Sequence, residues 1–292
     1  MTPVLTIGLP FYNNRSTLEL ALKSIFAQTY QDWELILLDD GSTDGSSALA
    51  ASIKDPRVRL FADGTNKGLI YRLNQIAQLA EGKYLARMDA DDLMDPERLE
   101  KQVSYLLAHP DVDLVDTGTW SIDEEGKPRG KRGLEPINTN PEHILRHAML
   151  LHASVVGKRS WFLSNPYDKD FIRAEDYELW CRTYAHSKFA RIAEPLYIVR
   201  EGKVNIRNYA KSSATIRKIF RQYGPGILSP TALQLELLKS KLKVLLYNTF
   251  SLINKHDYLS RKRNQPLTAA EQAMVNQIIE KINSVRLTTN IQ

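Results

Sequence analysis

A single cysteine in 292 residues, Cys181, rules out an intrachain disulfide and a cysteine-built metal site. It sits in the helical pattern "YELWCRTYA", where a small buried apolar residue is the expected role. Long apolar runs are missing too, and none approaches the roughly 20 residues that a membrane-spanning helix needs. The amino terminus "MTPVLTIGLPFYNN" has no basic segment and no small-residue cleavage pattern, so it reads as a first strand rather than a signal peptide. Neither G-x-x-x-x-G-K-[ST] nor G-x-G-x-x-G occurs, which removes the usual P-loop and dinucleotide fingerprints. Internal repeats and low-complexity segments are absent. What remains is an ordinary globular composition, 43% hydrophobic and 25% charged, expected in a reducing, cytoplasmic compartment.

Acidic residues are scarce in one part only. From Lys203 to Gln292 there are 15 Lys and Arg against 4 Asp and Glu, whereas residues 1–202 hold 24 basic and 30 acidic residues. The overall charge of +5 therefore conceals a break near "VREGKVN", residues 199–205. It predicts two parts with different surroundings, residues 1–202 and a basic, mainly helical extension, 203–292.

Strand and helix signals alternate through the first part. "VLTIGLPF", "WELILLDD", "VRLFAD", "KYLARMD" and "VDLVDTGTW" read as strands, and "STLELALKSIFAQ", "LIYRLNQIAQLA" and "PERLEKQVSYLLAHP" as helices between them. Ser16 with Glu19 fits a capping box, and Asp95-Pro96 an N-cap followed by proline at the first helical position. Successive β-α units predict a mostly parallel sheet with helices on both faces. Further on come a helix in "PEHILRHAM", a strand in "HASVVGK", a helix from Glu175 to about His186, and a strand in "FARIAEPLYIVR".

Ligands of open parallel sheets bind outside the carboxyl ends of the strands. Here the first strand ends in "PFYNN", the second in "DDGSTDGS" and the fourth in "DADD". Asp39, Asp40, Asp89 and Asp91 would then share one rim, and in an extended segment Asp89 and Asp91 point together while Asp92 points away. One aspartate after a strand is usually a turn residue or a cap, and Asp44 and Asp95 are read so. Capping does not call for two clusters. Hard oxygen ligands in this number suit Mg²⁺ or Mn²⁺, which keep waters and take one or two carboxylates plus substrate phosphates. Asp39 and Asp40 could accept hydrogen bonds from a base or ribose. Asn66, Lys67 and Gly68, after the third strand, offer a cation and close backbone approach to a nucleotide, although a lone lysine there is more often a solvated surface residue.

The segments "LPFYNN…LELALKSIFAQTYQDWELILLDDGSTDGS", "NKGLIYRLNQIAQLAEGKYLARMDADDLMDPERLEKQ" and "AEDYELWCR" together resemble the family 2 glycosyltransferases of the GT-A fold, over about residues 3–202. The likeness is nearest to the bacterial branch that builds surface polysaccharides and glycoconjugates. It implies a Rossmann-like sheet with a nucleotide-sugar half, about 1–117, and an acceptor half, about 118–202. It also implies a UDP-sugar donor, Mn²⁺ or Mg²⁺, and single displacement with inversion of a hexosyl or N-acetylhexosaminyl group. The acceptor would be a glycan or a polyprenyl-diphosphate-linked sugar, met at the inner face of the cytoplasmic membrane.

By the same resemblance Pro10, Tyr12, Asp39 and Asp40 line the uridine. Asp89, Ala90 and Asp91 lie by the ribose and pyrophosphate, with Asp91 the chief metal ligand beside Asp89. Asp176 is the base, and His152, Glu175 and Trp180 lie near acceptor or sugar. Arg72 and Asn74 stand near the family's Arg-Asn pair but are separated by Leu73. "YIVREG" places Arg200 and Glu201 where many relatives carry a Tyr-Arg-x-His motif, so no histidine ligand carries over.

Two rivals remain open. A nucleotidyltransferase also joins metal-binding carboxylates to an α/β sheet, though its glycine-rich phosphate loop is missing. A nucleotide-sugar-binding protein without activity is the non-enzyme alternative. In the extension, Leu235, Leu238, Leu242, Leu245, Leu246 and Ile253 form a helical stripe with Glu236, Lys239 and Lys243 on another side. Such a stripe packs on its own protein or a second subunit, or meets an anionic membrane or lipid-diphosphate acceptor. No motif supports a nucleic-acid partner.

Overall fold

The computed structural model describes residues 3–202, 205–252 and 264–288. In chain order the first half holds β1 (Leu5–Phe11), α1 (Leu18–Phe26), β2 (Trp33–Asp39), α2 (Ser46–Ser52), β3 (Val58–Ala62), α3 (Leu69–Leu79), β4 (Tyr84–Arg87), the short β5 (Leu93–Met94) and α4 (Arg98–Ala108). Then follow β6 (Leu114–Ile122), β7 (Pro128–Arg132), α5 (Pro141–Arg146), β8 (Val156–Lys158), α6 (Arg159–Ser164), α7 (Glu175–Thr183) and β9 (Phe189–Arg200). Among the described residues three further helices follow: α8 (Ile206–Tyr223), α9 (Pro230–Leu252) and α10 (Ala269–Asn283).

The strands form one sheet in the order β3-β2-β1-β4-β8-β6-β9-β5, with β7 paired to β6. The pairs β2–β3, β1–β2 and β1–β4 are parallel. Beyond β4 the sheet becomes mixed: β8 runs antiparallel to both β4 and β6, and β9 returns parallel to β6. The expected β-α-β succession thus holds as far as β4. β8, the strand read in "HASVVGK", inserts between β4 and β6 from much later in the chain, and no local pattern announces that position.

Alternation along the central strands supplies two cores. Leu5, Ile7, Leu9 and Phe11 of β1 face Leu18, Leu22 and Ile25 of α1 and Leu99, Val103 and Leu106 of α4. Ile36 and Leu38 of β2 and Leu85 of β4 turn to the opposite face, against α3, α6 and α7 through Ile76, Phe162 and Leu179. Helices therefore cover both faces. Two helix starts differ from expectation. The N-cap of α1 is Thr17, with no side-chain cap, rather than a Ser16 box. Asp95 accepts from the Glu97 amide (2.9 Å), so its turn precedes α4, which begins at Arg98.

The last described segment returns to the sheet. Gln265 bridges Lys131 of β7, Thr268 and Glu271 form a capping box, and Val275 and Ile282 of α10 are buried with Leu93, Trp120, Ile122 and Ile198. Ile253 and Lys203, named above, lie outside the described residues.

Candidate active site

Register sets the rim. Phe11 pairs with Asp39, and Asp39 with Ala62, so β1, β2 and β3 end together. β4 ends beside them, with Gly8 opposite Arg87 and the Met88 amide donating to the Gly8 carbonyl (3.1 Å). The carboxylates of Asp39 and Asp40 and those of the Asp89–Asp92 turn thus emerge on either side of β1.

Asp39 and Asp40 are both buried. Asp39 accepts from the Ser42 amide (2.9 Å). Asp40 accepts from the amides of Lys67 (2.7 Å) and Gly68 (3.0 Å) and from Arg72 Nε (2.8 Å). Gly41, at φ +81°, lets the 63–68 loop close over this corner, since a Cβ there would lie 2.9 Å from the Asn66 nitrogen. Arg72 is fully buried and also holds Asp63 through Nη2 (2.7 Å). Lys67 Nζ is likewise paired with Asp63 (2.7 Å). This loop is built from the very residues expected to meet a nucleotide. Pro10 is buried while Tyr12 is exposed, an aromatic face open beside the Asp39 corner.

The acidic run is a turn rather than an extended segment, because the Asp92 amide donates to the Asp89 carbonyl (3.3 Å). Asp92 nonetheless turns inward, accepting from the Arg200 amide (2.8 Å). Its burial, with Asp89 and Asp91 nearby, raises its pKa well above the usual range. Ala90 is buried, which leaves Asp89 and Asp91 at the surface of the turn. Surrounding protein and the Asp89 charge both push Asp91 upward.

Arg87, whose side chain is 5% exposed, pairs with Asp89. Its Nη1 also lies 2.8 Å from Nε2 of His152, which in turn contacts the Tyr167 hydroxyl at 2.8 Å. Burial and then Arg87 hold His152 well below its ordinary pKa, so the imidazole is neutral. Asp176 Oδ2 is 4.0 Å from His152 Nδ1. Glu175 and Asp176 form the first turn of α7, and burial is the main reason both pKa values are raised; Asp176 adds to the shift of Glu175. Trp180, expected at the acceptor, instead lies fully buried between His152, Trp161 and Phe189. It packs the histidine ring and offers no surface to a sugar.

A cleft of about 1070 Å³ opens beside this cluster, lined by Lys67, Tyr71, Asn74, Tyr167, Arg173 and Glu175 among others. Asn74 donates to the Tyr167 carbonyl and accepts from its amide (both 2.9 Å), fixing the loop that leads into α7. Arg173 on that loop has φ +67°, a left-handed backbone uncommon outside glycine. Arg87, Tyr167 and Tyr197, whose hydroxyl accepts from the Asp89 amide (3.1 Å), escaped the sequence reading. Arg87 had a signal: it is a charged residue inside the buried run "YLARMD".

Among the described residues no group of three or more His, Cys, Asp and Glu side chains is arranged to hold a metal ion. Asp89 and Asp91 supply two carboxylates. That number fits a divalent ion completed by waters and a diphosphate, and it does not fit a closed protein cage.

Residues 6–169 match the model of glycosyl transferase family 2, and the chain belongs to that family. It is a glycosyltransferase. Similar proteins include EpsE of Bacillus subtilis, named as a glycosyltransferase, at 36% identity over 68% of this chain and 73% of that one. WfgD of Escherichia coli, named as a UDP-Glc:α-D-GlcNAc-diphosphoundecaprenol β-1,3-glucosyltransferase, is 29% identical over 61% of this chain and 68% of its own. Among solved structures, S. aureus TarS with UDP-GlcNAc superposes with a TM-score of 0.59 at 15% identity, covering 95% of this chain and 80% of that one. The mannosyltransferase PcManGT of Pyrobaculum calidifontis, in complex with GDP-Man and Mn²⁺, gives 0.57 at 16% identity, over 97% and 86%. The fold is GT-A.

Proposed function

We propose that the protein transfers a hexosyl or N-acetylhexosaminyl group from a UDP-sugar to a glycan or polyprenyl-diphosphate-linked acceptor, inverting the anomeric centre, in bacterial surface-glycan synthesis. The observation that carries this reading is the meeting of two acidic elements at one rim. The Asp89–Asp92 turn and the first turn of α7 are joined through Arg87 and His152. WfgD and TarS, with their named donors, support the choice of a UDP-sugar.

In this mechanism Tyr12, Asp39 and the 63–68 loop bind the uridine, and Asp89 faces the ribose and diphosphate. Asp91, with Asp89, would hold Mn²⁺ or Mg²⁺, which when bound offsets the charge gathering on the leaving diphosphate. Asp176 removes the acceptor's hydroxyl proton as its oxygen attacks the anomeric carbon from the face opposite the diphosphate. Burial and Arg87 together depress the pKa of His152, so its imidazole is a weak proton acceptor and does not compete with Asp176 for that proton. Glu175 and the Arg173 backbone shape the acceptor side of the cleft. The raised pKa of Asp176 suits a base, because a carboxylate nearer neutrality binds the proton more strongly.

A panel of UDP-sugars incubated with the full chain and Mn²⁺ should release UDP from at least one donor, and excess EDTA should abolish the release. Full activity in EDTA would remove the metal from the account. UDP binding with no release from any donor, with or without acceptor, would favour the non-enzyme alternative.

A further inference from the structure

Helix α9 is apolar on two sides, and among the described residues only one of them is covered. Leu233, Leu237, Val244 and Tyr247 turn inward, with the Tyr247 ring tilted by 30° against Tyr209 of α8 at 4.1 Å between ring centroids and Ser240 Oγ 2.8 Å from Ser213 Oγ. On the outer side Leu235, Leu238, Leu242, Leu245 and Leu246 are each about half exposed, between 49% and 60%. A helix that is apolar all round is normally buried all round. At 1.5 Å per residue these leucines form a ridge about 17 Å long.

Charge identifies what the ridge meets. At 100° per residue Lys239 and Lys243 flank the leucines on one side and Lys241 on the other, and all three are exposed. Glu236, the only acid in α9, turns inward to Arg146 (3.1 Å) and Lys239 (3.0 Å). Helix α8 has no acid at all, so residues 206–252 carry eight Lys and Arg against one Glu. A second copy of this chain fits poorly, because two-fold pairing across the ridge would set lysines against lysines whichever flanks meet. A leucine face bordered by lysines is instead the pattern of a helix lying in the plane of an anionic bilayer.

The same hairpin reaches the cleft. Thr215 Oγ1 of α8 donates to the Ile172 carbonyl (2.8 Å), Lys218 Nζ to the Asp170 carbonyl (3.3 Å), and Ser212 lines the cleft itself. We infer that the outer face of α9 docks on an anionic lipid bilayer, with α8 tying that face to the loop that leads into Asp176. This rests on the reading above only for the acceptor that docking would serve, a lipid-linked one.

The test uses the full chain and needs neither donor nor turnover, so its failure and that of the glycosyltransferase reading are separable. Sedimentation with phosphatidylcholine vesicles, with and without phosphatidylglycerol, should show binding to the anionic vesicles only, weakening as salt rises. Leu238→Gln, Leu242→Gln and Leu245→Gln together should lose on the order of tenfold per leucine, with an unchanged circular dichroism spectrum and melting temperature. Lys241→Gln with Lys243→Gln, which leaves the ridge intact, should lose the preference for anionic lipid. Equal and negligible binding to both vesicle types would overturn the proposal, as would undiminished binding by the leucine variant. A dimer in light scattering that the leucine variant converts to monomer would assign the ridge to self-association and overturn it equally.

Discussion

Arg87 ends β4 with its guanidinium buried between Asp89 and His152, and the two partners are placed differently toward water. The Arg87 side chain is 5% exposed and that of Asp89 33%. Removing the acid therefore strands a buried cation, whereas removing the arginine leaves a carboxylate that water can reach. Breaking a buried pair from the side that leaves an uncompensated charge costs about 3–5 kcal/mol. Asp89→Ala should lower unfolding stability by roughly 3 kcal/mol, and Arg87→Met by less, as read from urea midpoints. The reverse order would contradict the network described.

The raised pKa of Asp176, the proposed base, also has a consequence for pH. A base works deprotonated, so turnover is present above its pKa and lost as pH falls through it. Burial sets that value above the ordinary 3.8 of an aspartate. The acid limb of the kcat profile should accordingly lie above 3.8; a limb at or below that value would remove Asp176 as the titrating group.

Among the elements, the 165–174 loop has no regular structure, yet it is anchored at both sides: by Asn74 of α3 at Tyr167, and by Thr215 and Lys218 of α8 at Ile172 and Asp170. Asn74→Ala removes two hydrogen bonds and leaves Tyr167 backbone groups unpaired, a loss of about 1–3 kcal/mol. The loop borders the cleft, so KM for the acceptor should rise more than KM for the donor. An equal rise in both would make Asn74 a purely structural residue. The parallel strands, α3, α7 and both acidic clusters were legible in the sequence, because each rests on local periodicity and turn chemistry. The turn at Asp89–Asp92 was misjudged as extended, since the hydrogen bond that closes it depends on Met88 pairing to β1. Trp180 was misplaced because a tryptophan in an amphipathic helix looks alike whether its ring meets a sugar or a core.

Across the whole molecule, residues 264–288 strap the sheet: Val275 and Ile282 complete a core that Leu93, Trp120 and Ile122 leave open, and the Lys54 amide donates to the Thr288 carbonyl (2.8 Å). Composition separated the tail from the first part by charge, but charge is a surface property and says nothing of where Ile282 is buried. Ile282→Ala should cost about 2–5 kcal/mol, within the same cooperative transition that unfolds the sheet. Two separate transitions would mean that the strap is not part of that core.

At the same scale, the proposed function requires the β4 turn and α7 to serve one reaction, the turn binding the donor and Asp176 of α7 deprotonating the acceptor. Asp176→Asn, assayed for UDP binding in Mn²⁺ and for sugar transfer on the same preparation, tests that division most directly. The account predicts UDP affinity close to the parent's with transfer reduced by about 10²–10⁴. Transfer near the parental rate would contradict it.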